Sequence, residues 1–226
     1  MTDVDRRITA GMAAQARQRD RLWAEGSRRV GWKAGFGTHA AMAKLAIEAP
    51  LVGYLTGGSL LPGGSECSIA HWDTAMLEPE LAVRLGRDLG GHPDAGEVLE
   101  AIDGVAPAIE LVELPQTSDD VETILAANIY HRHFLLGEFC ALEPATARLD
   151  VVRNGEEHAR DVDPAALLGS PLDILAGVAT TLNAVGERLQ AGDVVITGSA
   201  VPALAVVPSD RVTVRLGSAD VTVSLG

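Results

Sequence analysis

The sequence predicts an α+β fold, with a mostly β core, a helix at the N-terminus and further helices inserted between strands. Three observations predict it. The first two dozen residues carry apolar positions at helical spacing, the chain from Val194 onward reads as strand after strand, and one clear internal helix precedes that run. A length of 226 residues favours a single domain, and 47% hydrophobic residues suffice for a sizeable core. Because aromatics make up only 4%, Leu, Val, Ile and Ala must fill it.

Residues 4–24 read as an amphipathic helix, with Ile8, Met12, Ala16 and Trp23 near one face and arginines over much of the rest. Gly26 ends it. Arg29–Ala34 is a short strand running into the Gly35-Phe36-Gly37 turn, and Thr38 caps a helix to about Leu45. Glycine and proline throughout Pro50–Gly64 predict an irregular loop. Met76–Leu85 alternates as a strand, Val105–Val112 is another, and a short helix falls within His92–Gly104. Val121–Ala127 looks helical and is followed by a mixed segment ending near Phe139. Leu149–Arg153 followed by Asn154-Gly155 is a strand entering a hairpin turn. Pro171–Leu189 is the internal helix, with Leu172, Leu175, Val178, Leu182 and Val185 at three- and four-residue steps and Gly192 closing it. Val194–Thr197, Ala203–Val207, Arg211–Leu216 and Val221–Leu225 complete the strands. No linker separates domains: 1–28 is an N-terminal helical segment, and 29–226 is the main β domain.

A formal charge of −13 argues against a nucleic-acid partner, because phosphate binding needs a basic surface. The charge is uneven. Arg6, Arg7, Arg17, Arg19, Arg21, Arg28, Arg29 and Lys33 are eight of the eighteen basic residues, so the remainder is strongly acidic. That contrast offers complementary surfaces for self-association. Asp3, Asp5 and Asp20 interrupt the basic helix, unlike a transit peptide, and no stretch approaches the ~20 apolar residues that span a bilayer. Cys67 and Cys140 are too few for a disulfide framework. The expectation is a cytoplasmic protein with no membrane partner.

The informative stretch is Leu77-Glu78-Pro79-Glu80-Leu81. In a strand, residues two apart point to one side, so Glu78 and Glu80 present two carboxylates about 7 Å apart. Like charges that close repel, and a hard divalent cation removes the conflict. Glu110 is flanked by Ile109 and Leu111, and charges rarely bury without a partner. Three carboxylates without a matching His or Cys cluster point to Mg²⁺ or Mn²⁺, with Ca²⁺ also open, rather than zinc. The bland alternative is a solvated Glu-x-Glu face and an arginine partner for Glu110.

Lys33 lies between glycines and apolar residues in Val30-Gly31-Trp32-Lys33-Ala34-Gly35. Desolvation of a confined lysine favours its neutral form and suits a general acid or base, whereas a strand-end lysine reaching water is commoner. Ser199, in Thr197-Gly198-Ser199-Ala200, offers a hydroxyl and neighbouring backbone N–H groups to a carboxylate, although turn chemistry explains it equally well. His131 and His133 would share one face if extended; surface or pocket-edge roles are favoured over metal binding.

Taken in order, these segments resemble a known family. Gly31-Trp32-Lys33-Ala34-Gly35, Pro50 with Gly53 and Leu55, Glu78-Pro79-Glu80-Leu81-Ala82 and Pro107-Ala108-Ile109-Glu110 are followed by Ala126-Ala127-Asn128, Leu136-Gly137, Asn154-Gly155, Ala191-Gly192-Asp193 and Thr197-Gly198-Ser199. The pattern resembles the 2-keto-4-pentenoate hydratase family, which includes oxalocrotonate decarboxylases, within the fumarylacetoacetate hydrolase superfamily, over roughly residues 29–225. The resemblance implies a mixed β-roll core, Mg²⁺ or Mn²⁺ held by Glu78, Glu80 and Glu110, and Lys33 as the active-site lysine. Thr38, Asn128 and Ser199 become candidate substrate contacts. It further implies a homo-oligomeric catabolic lyase acting on a 2-hydroxy-2,4-dienoate or related 2-oxo acid through a metal-stabilised enolate. Hydration leads; decarboxylation of a 2-oxo diacid, C–C hydrolysis of an acylpyruvate, and a non-catalytic accessory subunit binding metal and 2-oxo acid are the alternatives. Members often occur with a partner enzyme, a decarboxylase or hydratase.

This chain departs from the family pattern at three places. Gly-Leu-Thr-Ser after the lysine becomes Gly35-Phe36-Gly37-Thr38, Ala-Asp-Asn becomes Ala126-Ala127-Asn128, and the small residues that follow become Tyr130-His131-Arg132-His133. The chain is also shorter than typical members.

Overall fold

A computed structural model describes residues 5–115, 120–141 and 143–226. Residues 1–4 of the expected N-terminal segment lie outside the described residues. The chain runs α1 (Arg6–Ala24), β1 (Arg29–Gly35), α2 (His39–Leu45), β2 (Leu51–Thr56), β3 (Glu66–Cys67), β4 (Ala75–Leu85), α3 (Ala95–Ala101), β5 (Ile102–Glu113), α4 (Val121–Ala126) and β6 (His131–Leu136). It continues with β7 (Leu149–Arg153), β8 (Glu156–Val162), α5 (Ala165–Leu168), α6 (Pro171–Ala184), β9 (Val194–Ser199), β10 (Leu204–Ala205), β11 (Arg211–Leu216) and β12 (Ala219–Leu225). Short 3₁₀ turns cover Asn128–Tyr130 and Pro144–Thr146.

The larger sheet has the order β2-β1-β9-β4-β5-β6, with β10 beside β4; the smaller has the order β3-β12-β11-β7-β8. Each mixes parallel and antiparallel pairs, β1–β9 and β12–β3 being the parallel ones. β11 and β12 contact β5, so the two sheets pack against each other. This is the α+β architecture expected, with helices at the N-terminus and between strands.

Local chemistry explains the helix ends. Asp5 caps α1 by accepting from Arg7 N, and Gly26 leaves the helix at φ +94°. Thr38 Oγ accepts from Ala41 N at 3.1 Å and starts α2 as expected. The buried side of α1 runs through Ile8, Met12, Gln15 and Arg19, rotated from the face read off the sequence. Arg19 turns inward because its guanidinium sits over the Trp23 and Trp32 rings and pairs with Glu187. Arg29 pairs with Asp193, so part of the basic N-terminal charge is already matched within the chain.

Two sequence expectations are corrected. The helix expected over Pro171–Leu189 ends at Ala184, and Gly186 at φ +77°, not Gly192, follows its end. The segment expected as a loop from Pro50 contains β2, whose six residues are all buried. Gly53 misled there. It lies opposite Lys33, and a Cβ on it would meet Asn128 Oδ1 and Lys33 Cγ at 2.8 Å. Glycine in a strand marks close approach as readily as a turn.

The two faces of β4 and β5 differ. Odd-numbered positions such as Leu77, Leu81, Val83, Ile109 and Leu111 join the main core. Even-numbered positions carry Ala82, Ala106 and Ala108, which belong to a smaller cluster with Phe134 and Ile196. The acids lie on that second face. No helix among the described residues is long and apolar enough to cross a membrane.

Candidate metal centre

Strand register assembles the cluster. Glu78 lies directly opposite Glu110, and Glu80 two residues on shares its face. Lys33, Ile196, Ala82 and Ala106 form one cross-strand row, which puts Lys33 on that same face. The small alanines floor the face without crowding the acids. One carboxylate oxygen from each of Glu78, Glu80 and Glu110 lies within 4.8 Å of the others. Glu80 and Glu110 are 0% exposed and Lys33 is 1% exposed.

Two irregularities aim further groups inward. Between β4 and β9 the register shifts, pairing Glu80 with Ser199 but Ala82 with Ile196. The extra residue lets Gly198, at φ +99°, donate its N–H to Glu80 Oε2 at 2.7 Å. Between β5 and β6 a second shift pairs Leu111 with His133 and Val112 with His131. The two histidines therefore occupy opposite faces, against the expectation for a regular strand. His133 stacks on Trp72 with centroids 6.3 Å apart. His131 turns to the acids, its Nδ1 lying 2.6 Å from Glu110 Oε1.

The partner of Glu110 is a lysine and not an arginine. Lys33 Nζ donates to Glu110 Oε1 and lies 3.3 Å from the Ile129 carbonyl. Burial by itself would raise Glu110, but the charge and hydrogen bond of Lys33 and the hydrogen bond of His131 outweigh it and hold the carboxyl below its ordinary value. The other two acids lack such help. Burial first, and the charge of Glu110 second, push Glu78 up to about 7. Burial and the charges of Glu110 and Glu78 raise Glu80 well above the ordinary range, against the opposing pull of Lys33 and the Gly198 N–H.

The residues fit a divalent cation. Glu80 Oε1 and Glu110 Oε2 are buried without any hydrogen-bond partner among the described residues, an arrangement that normally costs about 1–3 kcal/mol per group. A cation would use both lone oxygens and relieve the repulsion that raises Glu78 and Glu80. An all-carboxylate donor set suits a hard ion such as Mg²⁺ or Mn²⁺.

A cavity of about 230 Å³ opens beside the acids, lined by Lys33, Thr38, Glu78 and Ser199 on its polar side and by residues such as Phe36 and Leu168 on its apolar side. Thr38 Oγ already accepts the Ala41 N–H, and Ser199 Oγ donates to the Val201 carbonyl at 2.7 Å. Asn128 lies elsewhere. Its Oδ1 accepts from Tyr54 N at 2.8 Å and its Nδ2 donates to Tyr54 O at 3.0 Å, which occupies the outer edge of β2. Asn128, Ile129 and Tyr130 all have positive φ (51°, 54° and 62°), and this left-handed turn sets both the Tyr54 clip and the Ile129 carbonyl at Lys33. His131, expected at a surface or pocket edge, also reaches Glu110, a contact that depends on the β5–β6 register shift and has no signal in the sequence.

Comparisons with known proteins identify relatives of the chain. The family described as fumarylacetoacetate (FAA) hydrolase C-terminal matches residues 28–224. A 4-oxalocrotonate decarboxylase of Pseudomonas sp is 31% identical over 186 residues, 81% of this chain and 73% of that protein. 2-Keto-4-pentenoate hydratase 2 of Dechloromonas aromatica is 29% identical, over 87% of this chain and 78% of its own. Among solved structures, 4-oxalocrotonate decarboxylase from Pseudomonas putida G7, complexed with magnesium and adipate, superposes with a TM-score of 0.86 at 28% identity, covering 96% of this chain and 85% of that one.

Proposed function

The chain belongs to the fumarylacetoacetate hydrolase family, and on that footing we propose that it is a divalent-metal-dependent lyase that hydrates a 2-hydroxy-2,4-dienoate or related 2-oxo acid. The observation that carries the reading is the convergence of Glu78, Glu80 and Glu110 on one spot, with two of their buried oxygens unpartnered and Lys33 beside them. In this reading the three acids hold Mg²⁺ or Mn²⁺, Lys33 is the general acid/base, and Thr38 and Ser199 meet the substrate. Asn128 acts on the substrate site indirectly, through Tyr54 and the turn that follows it.

When bound, the cation supplies Lewis acidity that offsets negative charge developing on the 2-oxo acid. The chain does the rest. Ketonisation, with the 2-hydroxyl losing its proton and C5 gaining one, leaves the C3=C4 double bond conjugated to the C2 carbonyl; water then adds its hydroxyl at C4, and Lys33 Nζ delivers the proton that ends on C3. The apolar wall around Phe36 and Leu168 excludes bulk water and suits an uncharged tail.

Decarboxylation of a 2-oxo diacid is the second reading, favoured by the likeness to the decarboxylase that holds adipate. The cavity weighs against it. Lys33 is the one basic side chain among its described lining residues and already serves Glu110, so a distal carboxylate would face apolar groups. Mass spectrometry of products from a panel of 2-hydroxy-dienoates and 2-oxo diacids, with Mg²⁺ and with EDTA, separates the readings. Gain of water is expected; loss of CO₂ would favour decarboxylation, and two fragments would indicate C–C hydrolysis. Metal-dependent 2-oxo-acid binding without turnover would make the protein an accessory subunit. Cytoplasmic residence and self-association belong to the same proposal, the latter read by light scattering.

A further inference from the structure

Glu110 is held at one oxygen and left open at the other. Its Oε1 meets both Lys33 Nζ and His131 Nδ1, whereas Oε2 has no hydrogen-bond partner among the described residues. His131 is held in turn: its Nε2 lies 2.9 Å from Ser59 Oγ, and its side chain is 4% exposed. Ser59 is tied to the end of β2, with Oγ also 3.1 Å from the Thr56 carbonyl.

The tautomer follows from these contacts. An ionised carboxylate only accepts, so Nδ1 carries the proton. At the other edge of the ring Nε2 lies against Ser59 Oγ, so both ring nitrogens have a partner. A lysine ammonium is a compact charge whose donors rotate with their partner. A planar ring pinned at both nitrogens does not. Glu110 therefore cannot swing about its terminal bond without losing the His131 contact. Ser59 and His131 also line a second cavity of about 340 Å³, whereas Glu110 does not reach it, so the ring stands between that space and the carboxylate.

We propose that His131, oriented by Ser59, is the positioning residue for Glu110, fixing that carboxylate so that Oε2 alone is offered to a divalent cation. Two features of this chain create it: the register shift that turns His131 onto the carboxylate face, and the serine at the end of β2. The inference rests on Glu110 being a metal ligand. Hydrogen-bonded groups behind metal ligands typically change affinity about 10–100-fold when removed.

Calorimetric titration of Mn²⁺ into the EDTA-stripped full-length protein tests it. His131→Leu is expected to weaken Mn²⁺ binding about 10–100-fold. His131→Asn, whose amide nitrogen can take the place of Nδ1, is expected to restore most of the affinity, and Ser59→Ala to lose several-fold. Unchanged affinity in His131→Leu overturns the proposal, as does His131→Asn binding no better than His131→Leu. If His131→Leu does not fold, Ser59→Ala and His131→Asn decide: wild-type affinity in Ser59→Ala overturns the proposal, and weakened affinity there with near-native affinity in His131→Asn supports it. Failure of the wild-type protein to bind Mn²⁺ instead overturns the metal assignment itself, a distinct result.

Discussion

Stripped of divalent cations, the protein should lose stability as the pH rises above neutrality, and the carboxylate cluster sets the size of the loss. Glu78 and Glu80 are raised by burial and by neighbouring negative charge, so the fold holds protons that the unfolded chain has released. Stability from such groups is complete below their unfolded value and is lost as pH climbs through the folded one. The other shifted groups act elsewhere. Glu110 is lowered, so its contribution is complete above the ordinary carboxylate range and disappears only on acidification. His131 and His133 are lowered by burial, so stability rises until pH passes the ordinary histidine value of about 6.5.

From about pH 7 to about 8.5 the fold gives up the proton remaining on Glu78, pushed up to about 7, and draws on the raised Glu80, so stability falls. Each proton that the fold holds and the unfolded chain has released costs about 1.4 kcal/mol per pH unit. For a chain of this length a loss of about 1 kcal/mol lowers the melting temperature by about 2–4 °C. A cation binds the ionised form, so stabilisation by added Mn²⁺ should grow over the same range. Differential scanning calorimetry in EDTA and in Mn²⁺ at both pH values measures each slope. A flat or rising melting temperature in EDTA, with a Mn²⁺ shift independent of pH, would refute the picture of a buried, uncompensated acid cluster.

Other perturbations test separate parts of the site. Lys33→Met should lower kcat roughly 10²–10⁴-fold while calorimetry still detects Mn²⁺ binding, which separates proton transfer from collapse of the site. Glu80→Gln should abolish metal-dependent turnover and flatten the pH dependence of stability in EDTA; retained activity would remove Glu80 from the ligand set. Asn128→Ala strips the partners from Tyr54 N and O and puts alanine at φ +51°, so urea unfolding should report a loss of about 2 kcal/mol or more. Gly53→Ala drives a Cβ into Asn128 and Lys33, and should cost about 1–3 kcal/mol in the same assay and lower kcat with it.

Much of this was legible in the residues. The period-two pattern around Glu78-Pro79-Glu80 and the apolar flanks of Glu110 identified strands carrying acids that needed a partner, and β11 was read to the residue. Caps at Thr38 and the Asn154-Gly155 turn were likewise local events, decided by chemistry within a few positions. What failed was long-range. Gly53 reads as a loop residue until β1 is laid beside it, and Arg19 reads as surface until two indole rings close over it.

The sequence by itself determined the fold class and singled out the three acids and the lysine as candidates, because alternation, flanking polarity and motif order are properties of neighbouring residues. Only the tertiary structure decided that Glu78 faces Glu110 across a strand pair, that a glycine N–H caps Glu80, and that His131 and not His133 reaches the carboxylates. Those outcomes depend on strand register and on single-residue shifts in it, and a one-residue slip moves a side chain to the opposite face of a sheet without any change in the sequence that precedes or follows it.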